Sequence, residues 1–365
     1  ILVVIIMGIT ALINKYTPTK KTEDLKEYFN ISSDDEAALI VDNELSDYKA
    51  KIIDKKIYVD YKFVHDSLNS RFYWDANENV LLYTTASDII SAAADSNSYS
   101  VTKQTNDFGY PIVKATSDSA LIALDYVKQY SNITFKSYDD PARIVITSKW
   151  DEIDSATVSK STQVRVKGGI KSPILKEVKK DDKITILDSG NKWDKVATED
   201  GVIGYIKSKA LSESKKTKLT NPDYEEETFT HIKKDKDICL AWNQVTSKSA
   251  NSKVPQVISS TKGINVMSPT WFYLNDNNGN LADIASKDYV SYCHSQGIEV
   301  WGLFSNFENT DVDAAYVLTH TSTRTTLINQ IMSAAFNYEL DGVNIDFENI
   351  TEAAYGDSYI EFIRE

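Results

Sequence analysis

The stretch Asp341-Gly342-Val343-Asn344-Ile345-Asp346-Phe347-Glu348 alternates polar and apolar residues with period two. Successive side chains of a β-strand point to opposite faces. Asn344, Asp346 and Glu348 therefore point one way, and Val343, Ile345 and Phe347 point the other way, into a packed layer. Working back from it, Ile238–Trp242, Gly263–Pro269 running into Thr270–Leu274, and Ile298–Phe304 read as three earlier strands. Between them lie helical stretches at 254–260, 285–296 and 322–339, the last with Leu327, Ile331, Ala334, Ala335 and Tyr338 at helical spacing. Strand–helix alternation of this kind predicts a parallel sheet covered by helices.

Three polar side chains on the inner face of such a sheet do nothing for packing, and burying unpartnered carboxylates is costly. Glu348 stands at the strand's C-terminal end, the rim on which parallel barrels carry their chemistry. A carboxylate beside another carboxylate holds its proton more tightly, so one of the pair can serve as an acid at neutral pH.

The stretch resembles the Asp-x-x-Asp-x-Asp-x-Glu signature of family 18 glycoside hydrolases, with Asp341, Asp346 and Glu348 on three of its four acidic positions and Asn344 on the other. Gly342–Glu348, together with Ser268-Pro269-Thr270-Trp271-Phe272, is similar to the branch of spore-cortex-lytic N-acetylglucosaminidases. The resemblance implies substrate-assisted, retaining cleavage of β-1,4 linkages, an exception to the two-carboxylate scheme. Glu348 would be the acid and base, Asp346 would orient the substrate's 2-acetamido group, and Asp341 would be a buried support for the row. Asn344 would donate a hydrogen bond that keeps Asp346 ionised, and Trp271, Asn306 and Trp242 would bind substrate. The Ser-x-Gly-Gly of typical chitinases is replaced by Leu303-Phe304-Ser305-Asn306, which shifts the expected glycan from chitin toward peptidoglycan. A non-catalytic glycan-binding or wall-anchoring protein on the same fold is the alternative.

Residues 229–365 hold four strands, about half of the roughly 250 residues of a (β/α)8 barrel. The region is read as the first half of a TIM barrel, truncated at its C-terminal side and inactive by itself. Residues 153–211 contain short strands at Thr162–Lys167, Lys183–Leu187, Trp193–Ala197 and Gly201–Ile206, which predict a small β-barrel able to fold alone. Val164-Arg165, Trp193 and Gly201-x-x-Gly204-Tyr205-Ile206 resemble the bacterial Src-homology-3-type domain, and that resemblance implies a cell-wall peptide as partner. Residues 25–150 read as a duplicated α+β domain, each copy running strand, helix, strand, turn, strand, with Val80 answering to Ile144. That pattern resembles the N-terminal stalk domain of copper amine oxidases and bacterial surface proteins, but no copper-ligand cluster accompanies it. Residues 17–24 and 212–227 read as linkers.

The chain of 365 residues carries a formal net charge of −13, which argues against a basic nucleic-acid-binding face. Cys239 and Cys293 form no metal-binding pair and the four histidines are scattered, so no metal or cofactor is expected. The uncharged run Ile1–Ile13 precedes Asn14-Lys15, and residues 1–16 are read as a membrane anchor or signal segment. This places the protein on the outer face of a bacterial membrane or in the cell wall, with secretion as the alternative. With no initiator Met and a barrel cut after its fourth strand, the chain is expected to be part of a longer protein.

Overall fold

The computed structural model describes Met7 and residues 12–365. Most of the segment read as a membrane anchor lies outside the described residues. Among the described residues no helix is long and apolar enough to cross a membrane. The chain forms a multidomain α/β structure with several sheets, divided into two compact units. One unit joins the chain up to Ser70 with Ile112–Glu226, and the other joins Arg71–Pro111 with Glu227–Glu365.

The first unit contains two seven-stranded sheets. One has the order Thr134–Tyr138, Arg143–Thr147, Glu36–Val41, Glu44–Ile53, Lys56–Asp60, Ala120–Ala123, Val113–Ala115. Its second and third strands form a parallel pair, Leu39 opposite Ile144, and Ala37–Ile40 are fully buried. The strand-to-helix halves of the expected repeat are present: Lys56–Asp60 runs into Tyr61–Phe63, and Ala120–Ala123 runs into Leu124–Gln129. Beyond that point the copies part. Thr134–Tyr138 and Arg143–Thr147 complete the sheet, whereas Phe72–Asp75 and Val80–Thr84 belong to the other unit. The division at 25–150 read from sequence is thus redrawn.

The second sheet has the order Ile174–Val178, Thr162–Arg165, Ile203–Lys207, Trp193–Thr198, Lys183–Asp188, Glu152–Thr157, Lys215–Lys218, with every neighbouring pair antiparallel. Lys215–Lys218 falls in a stretch read as linker. It is a short, fully exposed edge strand, held to Glu152–Ser155 by backbone pairing and by Lys216–Asp154 at 3.0 Å. Three lysines on such an edge discourage pairing with other chains. The other expected linker is also ordered: Thr19 N and Glu23 N donate to Ile170 O and Ile174 O, each at 2.8 Å. The two sheets share a core. Phe29, Ala38 and Ile40 pack with Val164, Val196 and Ile206. Gly201, at φ +82°, lies so close that a Cβ there would meet Val145 at 2.8 Å and Ile40 at 3.1 Å. Residues 153–211 are therefore not packed as a separate body.

In the second unit, four strands form a parallel run in sequence order: Leu240–Asn243, Val266–Leu274, Glu299–Ser305 and Gly342–Asp346. Helices Lys287–Ser295, Ala314–Thr319, Thr321–Tyr338 and Glu352–Arg364 contribute Tyr289, Cys293, Val317, Leu327 and Phe362 to the core on its outer face. Arg71–Pro111 supplies a five-stranded antiparallel meander that docks on these helices. Tyr73 Oη lies 2.8 Å from Ser358 Oγ, and Thr84 Oγ1 donates to Glu361 at 2.7 Å. The long helix Thr321–Tyr338 has no cap from its own flank. Asp75 Oδ2 accepts from Thr321 N at 2.7 Å and Thr321 Oγ1 at 2.6 Å, and Glu78 accepts from Ser322 N at 2.9 Å. Two carboxylates from the meander thus satisfy donors at the positive end of that helix.

Candidate functional site

The inner face of the parallel sheet is fixed by register. Asn344 is opposite Leu303, and Asp346 is opposite Ser305. On the outer side, Ile345 and Phe347 join the core, with Phe347 stacked on Phe362 at 5.5 Å. Val343 departs from the expected packing and is 41% exposed. The second strand carries an irregularity between Thr270 and Phe272. An extra residue in one strand re-aims those beyond it. Trp271 and Phe272 both enter the outer core, where Phe272 stacks on Phe304 at 4.5 Å, while Tyr273 comes into line with Ser305 and Asp346.

Asn344 Nδ2 donates to the buried hydroxyl of Ser268 at 3.0 Å. Its bond therefore ties the fourth strand to the second, rather than supporting Asp346 as expected. Ser305 is buried, and its hydroxyl lies 2.6 Å from a carboxylate oxygen of Glu308. Glu348 stands two residues beyond the last paired residue of its strand and is exposed. Its backbone is held by Asn306: Asn306 Nδ2 donates to Glu348 O at 3.0 Å, and Glu348 N donates to Asn306 Oδ1 at 2.8 Å. The side chain expected on substrate is thus turned to the backbone of the neighbouring acid. The hydroxyl of Tyr359 holds its proton more tightly than usual, through burial first and the charge of Asp346 second.

Of the other expected residues, Trp242 is 71% exposed and shares the inner face through its register with Ser268. Trp271 is fully buried, with its indole N–H donating to Asn251 Oδ1 at 2.8 Å and its ring edge-on to Tyr289 at 4.9 Å. It is a core residue and touches no open face. Its odd-numbered parity with the buried Met267 was the available signal. Asp341 precedes the strand, roughly 20 Å of extended chain from Glu348, and is exposed rather than buried. Its Oδ2 accepts from Val300 N at 2.8 Å and lies 2.8 Å from His294 Nε2. Asp341 thus joins the sheet to the helix Lys287–Ser295 at the opposite end from the acids. The neighbouring Cys293 thiol is pushed up to about 12, by burial and then by the charge of Asp341. Both cysteines are free thiols, Cys293 buried and Cys239 exposed.

Sequence reasoning assigned no part to Ser268, His294, Ser305 or Glu308. Ser268 and Ser305 were discoverable only through register, and Glu308 only as an acid shortly after a strand end.

No protein-family model matches the chain, and no curated protein matches it. Partial likenesses exist among solved structures. The spore cortex-lytic enzyme of Bacillus megaterium is 19% identical, over 34% of this chain and 29% of that one, at a TM-score of 0.29. The spore cortex-lytic enzyme of Bacillus cereus is 16% identical, over 40% and 35%, at a TM-score of 0.30. A chitinase of Chromobacterium violaceum is 15% identical, over 34% and 39%, at a TM-score of 0.28. The chain spans less than half the length of each.

Proposed function

We propose that the second unit is the first half of a glycoside hydrolase TIM barrel, cleaving β-1,4 linkages beside N-acetylglucosamine. One observation carries this reading. Asp346 lies in the last register pair of the fourth parallel strand and the exposed Glu348 follows two residues on, while Ile345 and Phe347 pack into the core behind. In this mechanism Glu348 gives its proton to the glycosidic oxygen as the C1–O bond breaks. The substrate's acetamido oxygen bonds to C1, forming a cyclic oxazolinium. Asp346 accepts the amide N–H and balances the charge. Water then attacks C1, its proton passes to Glu348, and the acetamido group is released with retention.

The exposed face of Trp242 offers a stacking surface for a sugar ring on the same side of the sheet. We propose a peptidoglycan glycan over chitin, because Leu303-Phe304-Ser305-Asn306 stands where typical chitinases carry Ser-x-Gly-Gly. Export through the N-terminal segment, a Src-homology-3-type wall-peptide contact and a stalk-like role for the first unit complete the proposal. The test is Glu348→Gln, assayed with an aryl chitobioside and with peptidoglycan in the longer native form, beside the full chain, which as half a barrel is expected to lack turnover. Turnover should fall about 10²–10⁴-fold, the usual contribution of a positioned acid, with binding retained. Unchanged turnover sinks the assignment. Binding without turnover in the unsubstituted longer form would leave a non-catalytic glycan binder.

A further inference from the structure

We infer that Asn306 is a positioning residue for Glu348, acting as a side-chain extension of the sheet; the inference rests on the catalytic reading of Glu348 proposed above. The last backbone register pair between the third and fourth strands is Ser305–Asp346. Past it, the third strand turns away through Asn306 and Phe307, and the Ser305 hydroxyl closes onto Glu308. Glu348 therefore lies two residues beyond the last main-chain pairing of the two strands. The Asn306 carboxamide takes the place of a neighbouring peptide group there, donating to Glu348 O at 3.0 Å and accepting from Glu348 N at 2.8 Å.

A carboxamide has the donor and acceptor of a peptide group in the same plane. Two bonds to one residue fix the plane of that residue's backbone, and with it the direction of its Cα–Cβ bond. One bond would leave a rotation free. The clamp matters because Asn349 adopts φ +60°, so the chain swings away directly after Glu348. Without Asn306, Glu348 would sit between a frayed strand end and a left-handed turn, with only water on its backbone. Asp346 needs no such device, because it lies within the paired strand. The two acids of the row are thus placed by different means, one by the sheet and one by a side chain.

Placement of this kind acts on the reacting geometry rather than on affinity. A displacement of about 1 Å at a catalytic group lowers turnover by as much as 10²-fold. The test uses Asn306→Ala and Asn306→Asp, with hydrogen exchange read in the full chain and turnover read in the longer native form that carries the rest of the barrel. Amide hydrogen exchange followed by NMR reads the clamp directly. Glu348 N–H should be protected in the parent and exchange freely in N306A, while the amides of residues 343–346 stay protected. N306D keeps the acceptor for Glu348 N and lacks the donor for Glu348 O, so protection should be partly kept. In turnover of the aryl chitobioside, kcat should fall about 10–100-fold in N306A, with KM within about threefold. N306D should lie between them in kcat. An N306A protein with parental kcat, beside an inactive E348Q protein, overturns the inference and leaves the catalytic reading standing. An E348Q protein with parental turnover sinks the catalytic reading, while the exchange data still report whether the clamp exists. Loss of protection throughout 343–346 in both Asn306 variants would make Asn306 a general structural residue and would also overturn the inference.

Discussion

Trp271→Phe separates a core residue from a sugar-binding one. The indole of Trp271 is fully buried and donates to Asn251 Oδ1 at 2.8 Å. Asn251 is itself 4% exposed, and its amide donates to Lys248 O at 3.1 Å and Ile284 O at 2.8 Å. That side chain cannot turn to find another partner. Phenylalanine would leave its oxygen unpaired in an apolar core, at a cost of about 1–3 kcal/mol. The lost ring atoms remove contacts with Tyr289 and Phe272, for roughly 1–2 kcal/mol more. The sum, about 2–5 kcal/mol, corresponds to a fall of roughly 5–15 °C in the unfolding temperature of a domain of ~150–250 residues. Differential scanning calorimetry should show that fall in the transition of the unit containing Glu227–Glu365. Glycan affinity measured well below the transition should be unchanged. An unfolding temperature within about 2 °C of the parent, with a KM raised tenfold, would return Trp271 to the substrate and refute the core assignment.

Removing the caps that Asp75 and Glu78 place on the helix Thr321–Tyr338 should cost about 1 kcal/mol each, read as lost helix protection in hydrogen exchange of D75A and E78A proteins. Asp200 bonds Arg143 and Lys176 in the first unit. Burial raises its pKa, but hydrogen bonds from Lys176 and Thr198 and the charges of Lys176 and Arg143 outweigh it and hold the carboxyl below its ordinary value. A depressed carboxyl stabilises the fold above its unfolded pKa of about 3.9 and ceases to do so as pH falls through the folded value. Asp200→Asn should therefore cost about 3 kcal/mol in urea unfolding at pH 7 and progressively less below pH 4. An Asp200→Asn deficit that grew on acidification would contradict this. An isolated 153–211 peptide should give random-coil amide shifts, because it leaves behind Phe29, Ala38 and Ile40 from its core; dispersed shifts would show that its own residues suffice.

Period two made the fourth strand legible, because each of its apolar residues had to face the same way and a sheet enforces that facing. The same rule was silent about neighbours. Which residue lies opposite Asp346 depends on the stagger between strands, and the irregularity at Thr270–Phe272 alters it in a way that alternation cannot show. Alternation therefore set Asn344 and Asp346 on one face, but linked Asn344 to Asp346 rather than to Ser268. The motif set Asp341 beside the acids, because spacing along a chain does not say which end of a strand a residue occupies. Its partners proved to be His294 and Val300 at the far end.

Connectivity misled in another way. A repeat was visible in residues 25–150, and its local elements formed, but packing is decided by which apolar faces meet. Phe72, Tyr73 and Trp74 are buried on a strand that local pattern assigned to the first domain. The hydroxyl of Tyr73 meets Ser358, and Arg324 lies 5.0 Å from its ring. Ser358 is 285 positions from Tyr73 in the chain and Arg324 about 250, so no window of sequence contains them together. They give the meander a role in the second unit. It covers the helices Thr321–Tyr338 and Glu352–Arg364, the second of which carries Phe362 and Tyr359 behind Phe347. Phe347 separates Asp346 from Glu348, so the packing that seats it also sets the spacing of the two acids. A part of the chain nearly 250 residues upstream is thus built into the support of the Asp346–Glu348 segment, at the helix start that Asp75 caps.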